Sequence, residues 1–290
     1  MRRLAAAAGA LLIGVLAAAP AMAAPAMWRV SDADSQIYLF GTLHALKPDA
    51  PWRTPLYDRV FARATTVWFE ADMQSGDPET LRLLVQRYGS DPDTPLSHKL
   101  APADVAALSR QADLARIEHL RPWAAALMLS VQPALARGAS VEKGADMTAT
   151  RAARADAKQI RTFETLEDQA RMFASLSEPS EVRYLSDVIH ERGRSRRLRL
   201  PFQPATLEAA WLAGDLERQG PRMLADMQAD NPGLYDALLK RRTRAWAETL
   251  TREMTGSGVE LVNVGALHMV GPDGLPALLA AQGFRVERVQ

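Results

Sequence analysis

The chain has 290 residues, with 35 basic against 34 acidic side chains and a formal net charge of +1. That balance excludes the broadly basic surface by which nucleic-acid-binding proteins neutralise phosphate, so no nucleic-acid partner is expected. Cysteine is absent, which excludes disulfides, thiolate nucleophiles and Cys-ligated metals; the apolar fraction of 48% is that of a chain with a packed core.

In chain order, the first segment reads as a secretory leader. Arg2 and Arg3 precede an apolar run from Leu4 to Ala19, Pro20 breaks it, and Ala21-Met22-Ala23 has the small–x–small form of a cleavage site. The run is short for a retained anchor. Residues 1–23 are therefore expected to be a signal peptide, leaving 24–290 as a single periplasmic or secreted domain with no stable membrane anchor.

Met27 to Val30 and Gln36 to Phe40 read as strands joined by the turn Ser31-Asp32-Ala33-Asp34. Pro55 to Ala64 has helical spacing, and Thr65 to Phe69 is a β-branched and aromatic strand that ends at Glu70. This strand–helix–strand order predicts a βαβ unit, with His44 and Glu70 beyond the ends of adjacent parallel strands. Helical spacing, bounded by Pro, Gly, Asp and Ser, covers Pro78 to Tyr88, Pro102 to Ala115, Pro122 to Ala136 and Ala145 to Ala157. Gln159 to Phe163 resembles a buried strand. Helices resume from Glu167 to about Glu253, with breaks expected near Pro179, Gly193 to Pro204, Gly220 and Pro232. Val259 to Val264 is the clearest late strand, followed by a helix from Pro276 to Gln282 and a strand from Phe284 to Val289. The expected fold is α/β: a central mixed sheet built from the N- and C-terminal portions, with large helical insertions at roughly 77–156 and 167–255.

Two strand ends carry the same phrase. Gly41-Thr42-Leu43-His44 and Gly265-Ala266-Leu267-His268 are each followed, at matching offsets, by Pro and Asp (Pro48-Asp49 and Pro272-Asp273). The glycine permits a tight turn and close backbone approach, and the histidine three residues later can fold back over the strand end. Carboxyl ends of strands are where open α/β sheets build their sites. With only five histidines in the chain, a duplicated placement points to a shared site: His44, His268 and Glu70 form a set able to hold Zn²⁺, Mn²⁺ or Co²⁺ and leave room for water and substrate.

Glu164 ends another strand and is compatible with a further ligand, an acceptor that orients a histidine, a general base, or a plain helix cap. Asp49 and Asp273 are expected to shape turns. His98 and His119 sit among charged residues, and His190-Glu191 lacks the second histidine of a zincin helix, since residue 194 is Arg. Gly-x-Ser-x-Gly, P-loop and Gly-x-Gly-x-x-Gly motifs are all missing, which removes the usual support for serine hydrolases, nucleotidases and dinucleotide enzymes. Trp123, Trp211 and Trp246 have the spacing of core residues. The cluster Arg192, Arg194, Arg196, Arg197 and Arg199 reads as a solvated loop.

The two Gly-x-x-His phrases resemble those of the TraB/PrgY/GumN family, together with Trp28-Arg29-Val30, Tyr38-Leu39-Phe40 and Gly271-Pro272-Asp273-Gly274-Leu275. Phe163-Glu164-Thr165, Gly144-Ala145-Asp146, Ala209 to Asp215 and Ala245-Trp246-Ala247 are similar to further elements of its GumN-type members. The resemblance spans nearly all of the mature chain. Within that superfamily the TIKI-type proteins are metal-dependent proteases that act on secreted Wnt. The resemblance implies a metallohydrolase with His44, Glu70 and His268 at the metal positions and Glu164 and Arg242 at further polar positions. One departure stands out: GumN-type members usually show Arg-Asn where this chain has Arg242-Thr243.

The residues lead to an expected metal-dependent hydrolase, with Glu164 moving the proton and Arg242 stabilising the developing oxyanion; that its substrate is a peptide or protein is what the resemblance implies. The rival expectation is a non-catalytic accessory or binding protein for exopolysaccharide or envelope processes. Haem capture by the same histidines ranks last, because no Met or Tyr is placed as an axial partner.

Overall fold

Alternation along the strands dictates a sheet covered on both faces. In β1 (Met27–Ser31) and β2 (Ser35–Thr42), Ile37 and Leu39 point one way, and Tyr38 and Phe40 the other, and all four are buried. β3 (Thr66–Phe69) and β5 (Gly258–Gly265) behave likewise, whereas β4 (Gln159–Thr162) and β6 (Arg285–Arg288) are more exposed. The computed structural model describes residues 23–72, 77–194 and 204–290. Residues 1–22 of the leader expected over 1–23, and the side chains of the arginine cluster at 192–199, lie outside what is described. No helix among the described residues is long and apolar enough to cross a membrane.

The six strands form one mixed sheet in the order β4-β3-β5-β2-β1-β6. β1 is antiparallel to β2 and to β6, while β4, β3, β5 and β2 run parallel to one another. The Asp32 carboxylate closes the β1–β2 turn by accepting from the Asp34 and Ser35 amides, at 3.2 and 2.8 Å. One expectation is corrected here: β2 and β3 are not neighbours. β5 lies between them and pairs with both, with Thr42 opposite Gly265 and Phe69 opposite Asn263. The crossover through α1 (Pro55–Arg63) skips one place, and the chain's far end fills it. Local pattern fixes strand direction, but the neighbour is chosen by packing.

α2 (Pro78–Tyr88), α3 (Pro102–Leu108), α4 (Leu114–Ile117), α5 (Pro122–Ser130), α6 (Gln132–Ala136) and α7 (Ala145–Ala155) separate β3 from β4. α8 (Leu166–Ala174), α9 (Glu178–Arg194), α10 (Pro204–Leu212), α11 (Leu216–Asp230), α12 (Pro232–Tyr235) and α13 (Arg241–Glu253) separate β4 from β5, and α14 (Leu275–Ala281) leads into β6. Proline opens α1, α3, α5 and α12, where its missing N–H has no helical partner to lose. The helix expected from Pro102 to Ala115 divides into α3 and the start of α4. No break occurs at Gly220: α11 runs through Gly220 and Pro221. There glycine serves close packing instead, since a Cβ at 220 would meet Val270 Cγ1 at 2.6 Å. β4, expected to be buried, is the sheet edge and, among the described residues, pairs only with β3.

Three cores result. On one face Tyr38, Phe40, Val67, Phe69 and Leu261 pack against α1 and the alanine stripe Ala145, Ala149 and Ala153 of α7. On the other, Ile37, Leu39, Trp68, Val262 and Val264 meet Trp246 and Leu250 of α13 and Leu275 and Leu279 of α14. A third core joins the inserted helices through Leu108, Trp123, Phe173, Leu185 and Ile189. Trp123, Trp211 and Trp246 are all buried, as their spacing predicts.

Candidate functional site

Four parallel strands end side by side, and each delivers one polar side chain just past its last residue. Across the sheet edge these are Glu164 after β4, Glu70 after β3, His268 after β5 and His44 after β2. The β3–β4 pairing continues one step beyond the strands, with the Glu164 amide donating to the Glu70 carbonyl at 2.9 Å. The two carboxylates therefore start from neighbouring points.

The duplicated phrases touch. A Cβ on Gly41 would lie 2.8 Å from Ala266 Cα, so the first phrase needs glycine to lie against the second. The Trp211 indole N–H donates to the Gly41 carbonyl at 2.8 Å. Downstream, a Cβ on Gly144 would fall 2.4 Å from the His44 carbonyl oxygen, and the Ala145 amide donates to the Leu43 carbonyl at 2.9 Å. The start of α7 is thus seated on the His44 loop, which brings Asp146 to 3.1 Å from His44 Nδ1. In the second phrase, a 3₁₀ turn over Ala266–Met269 folds His268 beneath α13, with its ring centroid 4.3 Å from that of Trp246.

Glu70 is the hub. Its Oε1 accepts from the Gly265 amide at 2.6 Å and lies 3.9 Å from His268 Nε2, while its Oε2 accepts from Arg242 Nη2 at 2.7 Å. Arg242 in turn donates through Nε and Nη2 to Glu164, at 2.8 and 2.7 Å, and through Nη1 to the Leu238 carbonyl at 2.9 Å. Nη1 also stands 3.4 Å from His268 Nε2, and the guanidinium lies over the Trp246 ring at 4.8 Å. The five residues singled out from sequence, His44, Glu70, Glu164, Arg242 and His268, are therefore gathered at one place.

Charge states follow from these neighbours. Burial pushes the Glu70 carboxyl up, but Arg242 foremost, then His268, His44 and the Gly265 amide, overrule it and hold the pKa at about 2. Burial drives His268 down to about 3, outweighing the pull of Glu70, so its ring is neutral. His44 goes the other way. Desolvation acts to lower this ring, although its side chain keeps 61% of its accessible surface, and it is overruled by the neighbouring carboxylates. The Asp146 and Glu70 carboxylates raise the imidazole to about 9. For Arg242, burial acts to lower the pKa, but Glu70 and Glu164 raise it further, and it stays charged.

Whether these residues suit a divalent ion can be tested on the cradle itself. A Cβ on Gly265 would sit 2.9 Å from Glu70 Oε1, 3.6 Å from His268 Cδ2 and 4.0 Å from His44 Nε2. Two imidazoles and a carboxylate border the space beside Gly265, and the donor types fit such an ion. Among the described residues, however, no group of three such side chains stands at the spacing of a formed metal site. Here the Arg242 guanidinium takes one oxygen of Glu70 and faces His268 Nε2.

Residues 26–288 match the model of the TraB/PrgY/gumN family. The chain belongs to that family. No curated protein and no solved structure matches it. For this family member, sequence reasoning missed two partners. Asp146 was visible only as part of Gly144-Ala145-Asp146, and an acid in the first turn of a helix is ordinary enough to hide it. Thr243, where GumN-type members usually carry Asn, sets its Oγ1 2.7 Å from His268 Nδ1. Asp273, expected only to shape a turn, also accepts from the Tyr235 hydroxyl at 3.0 Å and from Arg244 at 3.1 Å.

Proposed function

We propose that this protein is a metal-dependent hydrolase of peptide bonds, working in the periplasm or outside the cell on a peptide or protein. The observation that carries the reading is the convergence of His44, Glu70 and His268 on the Gly265 cradle. These three would hold Zn²⁺, Mn²⁺ or Co²⁺. When bound, such an ion lowers the pKa of its water and polarises a carbonyl.

The protein's own groups supply the rest. Asp146 orients the His44 ring through Nδ1, which leaves Nε2 directed at the cradle once the ring sheds its extra proton. Glu164 also lines a cavity of about 290 Å³ with Asp72, Leu84, Thr162, Thr165 and Leu166. It is the group proposed to move the proton. Arg242 holds a fixed positive charge against both carboxylates, suited to stabilising a developing oxyanion.

The test is elemental analysis of the protein purified without a polyhistidine tag, followed by His44→Ala and His268→Ala against a mixed peptide library. About one equivalent of ion and measurable cleavage, both lost in either variant, is the expected result. A second reading has its own observation. Arg242 already bridges both carboxylates without an ion, as suits a non-catalytic accessory or binding role in exopolysaccharide or envelope processes. A metal-free protein whose fold and partner binding ignore both substitutions would favour that reading.

A further inference from the structure

We propose that Thr243 is a positioning residue that fixes the tautomer of His268, placing the ring proton on Nδ1 and leaving the Nε2 lone pair to face Arg242 Nη1. The argument is one of proton counting. Thr243 Oγ1 carries a single hydrogen and lies 2.7 Å from the Leu239 carbonyl oxygen, which can only accept. That hydrogen is committed there. What Oγ1 offers His268 Nδ1, also 2.7 Å away, is a lone pair, so Nδ1 must bring the proton.

The opposite side of the ring gives the same answer. Nε2 faces Arg242 Nη1 at 3.4 Å, and a guanidinium has donors only. The alternative tautomer would set lone pair against lone pair at Nδ1 and N–H against N–H at Nε2, where Glu70 Oε1, at 3.9 Å, is beyond hydrogen-bond reach. Thr243 is 1% exposed and His268 4%, so water does not relieve either mismatch.

The backbone explains how two consecutive residues address opposite nitrogens of one ring. Asp236–Lys240 forms a single π-helical turn, closed by the Arg241 amide donating to the Asp236 carbonyl. Wide turns of this kind recur at functional sites. Immediately after it, Arg242 and Thr243 are tied back to the Leu238 and Leu239 carbonyls through their side chains and emerge on either edge of His268.

The decisive measurement is ¹⁵N NMR of histidine-labelled, metal-free protein at neutral pH, with the His268 signals assigned by their loss in His268→Asn. The wild type is expected to show a protonated Nδ1 and a bare Nε2. Thr243→Val, matched in shape but lacking the hydroxyl, should shift the ring to the other tautomer or a mixture, and Thr243→Ser should restore it. If the valine variant does not fold, Thr243→Ala carries the same comparison. Zn²⁺ titration by calorimetry adds a second readout: about 10- to 100-fold weaker binding without the hydroxyl, recovered by serine. Only this arm rests on the proposed metal site. If neither wild type nor variants take up Zn²⁺ while the tautomer still follows the hydroxyl, the metal reading falls and the role of Thr243 stands. An Nδ1-protonated ring that persists in folded Thr243→Val, or a folded serine variant that behaves like valine, overturns it.

Discussion

His44 and His268 close the same four-residue phrase at the ends of paired parallel strands, yet their environments are opposite. His44 is open to solvent, faces the carboxylate of Asp146 and is held up at about 9. His268 is buried under Trp246, faces the hydroxyl of Thr243 and is held down at about 3. The phrase places a ring at a strand end; the partner contributed by a distant helix decides whether that ring is charged. One rim of the cradle is thus cationic and wet, and the other neutral and dry, with Glu70 joining them.

The largest blow to this contrast should come from Glu70→Ala, which strips Arg242 of one of its two carboxylates and leaves the Gly265 amide without its acceptor. Breaking a buried pair of this kind costs about 3–5 kcal/mol, readable as a shift in urea midpoint with an unchanged slope. Glu70 also titrates with the fold. Its pKa, lowered from 4.5 to about 2, contributes stability above the higher value that disappears as pH falls through the lower one. An unfolding midpoint that ignores acid over this range would remove Glu70 from its central place.

Next in size are the two glycines. Gly41→Ala sets a Cβ against the backbone of Ala266 at 2.8 Å, and overpacking of this sort costs about 1–3 kcal/mol in thermal or urea unfolding. Gly265→Ala places its methyl against the Glu70 oxygen, at 2.9 Å, in a backbone conformation (φ −50°) that alanine accepts. We expect it to change stability by about 1 kcal/mol or less while abolishing ion uptake. Equal stability losses in the two variants would mean that the phrases do not divide the work between packing and site.

The smallest effect is alkaline. His44, raised from 6.5 to about 9, favours the fold fully below its ordinary value and loses that contribution as pH climbs through the raised one. Because the ring is largely exposed, the effect should be about 1 kcal/mol or less. His44→Asn should flatten this alkaline limb but keep the acid limb of His268, moved slightly because the His44 charge is the last of the causes acting on it; the neutral His268 ring weakens the fold progressively as pH falls from 6.5 towards about 3. A His268 ring that titrates near neutrality by NMR would erase the difference between the two ends.

Much of this was legible in the residues. The alternation of Ile37, Tyr38, Leu39 and Phe40 is a strand covered on both faces, and both Gly-x-x-His phrases stand at strand ends because a glycine that must accept a neighbouring backbone leaves its mark in the sequence. The prolines that open helices were equally readable, since a residue without an N–H suits that position. Gly220 misled because a glycine placed for close packing against Val270 looks, in one dimension, like one placed to end a helix. Asp146 escaped because its partner lies 102 positions away.

By itself the sequence determined which residues face which side of each strand, where the helices begin, and that two histidines, two glutamates and an arginine would be available at strand ends and on one helix. These depend on dihedral preferences and periodicity, which act over a few residues. Only the tertiary structure decided that β5 enters between β2 and β3, that Arg242 bridges Glu70 and Glu164, and that one histidine carries charge while its twin does not. Those outcomes depend on Coulomb forces and burial, which fall off with distance in space and take no account of separation along the chain.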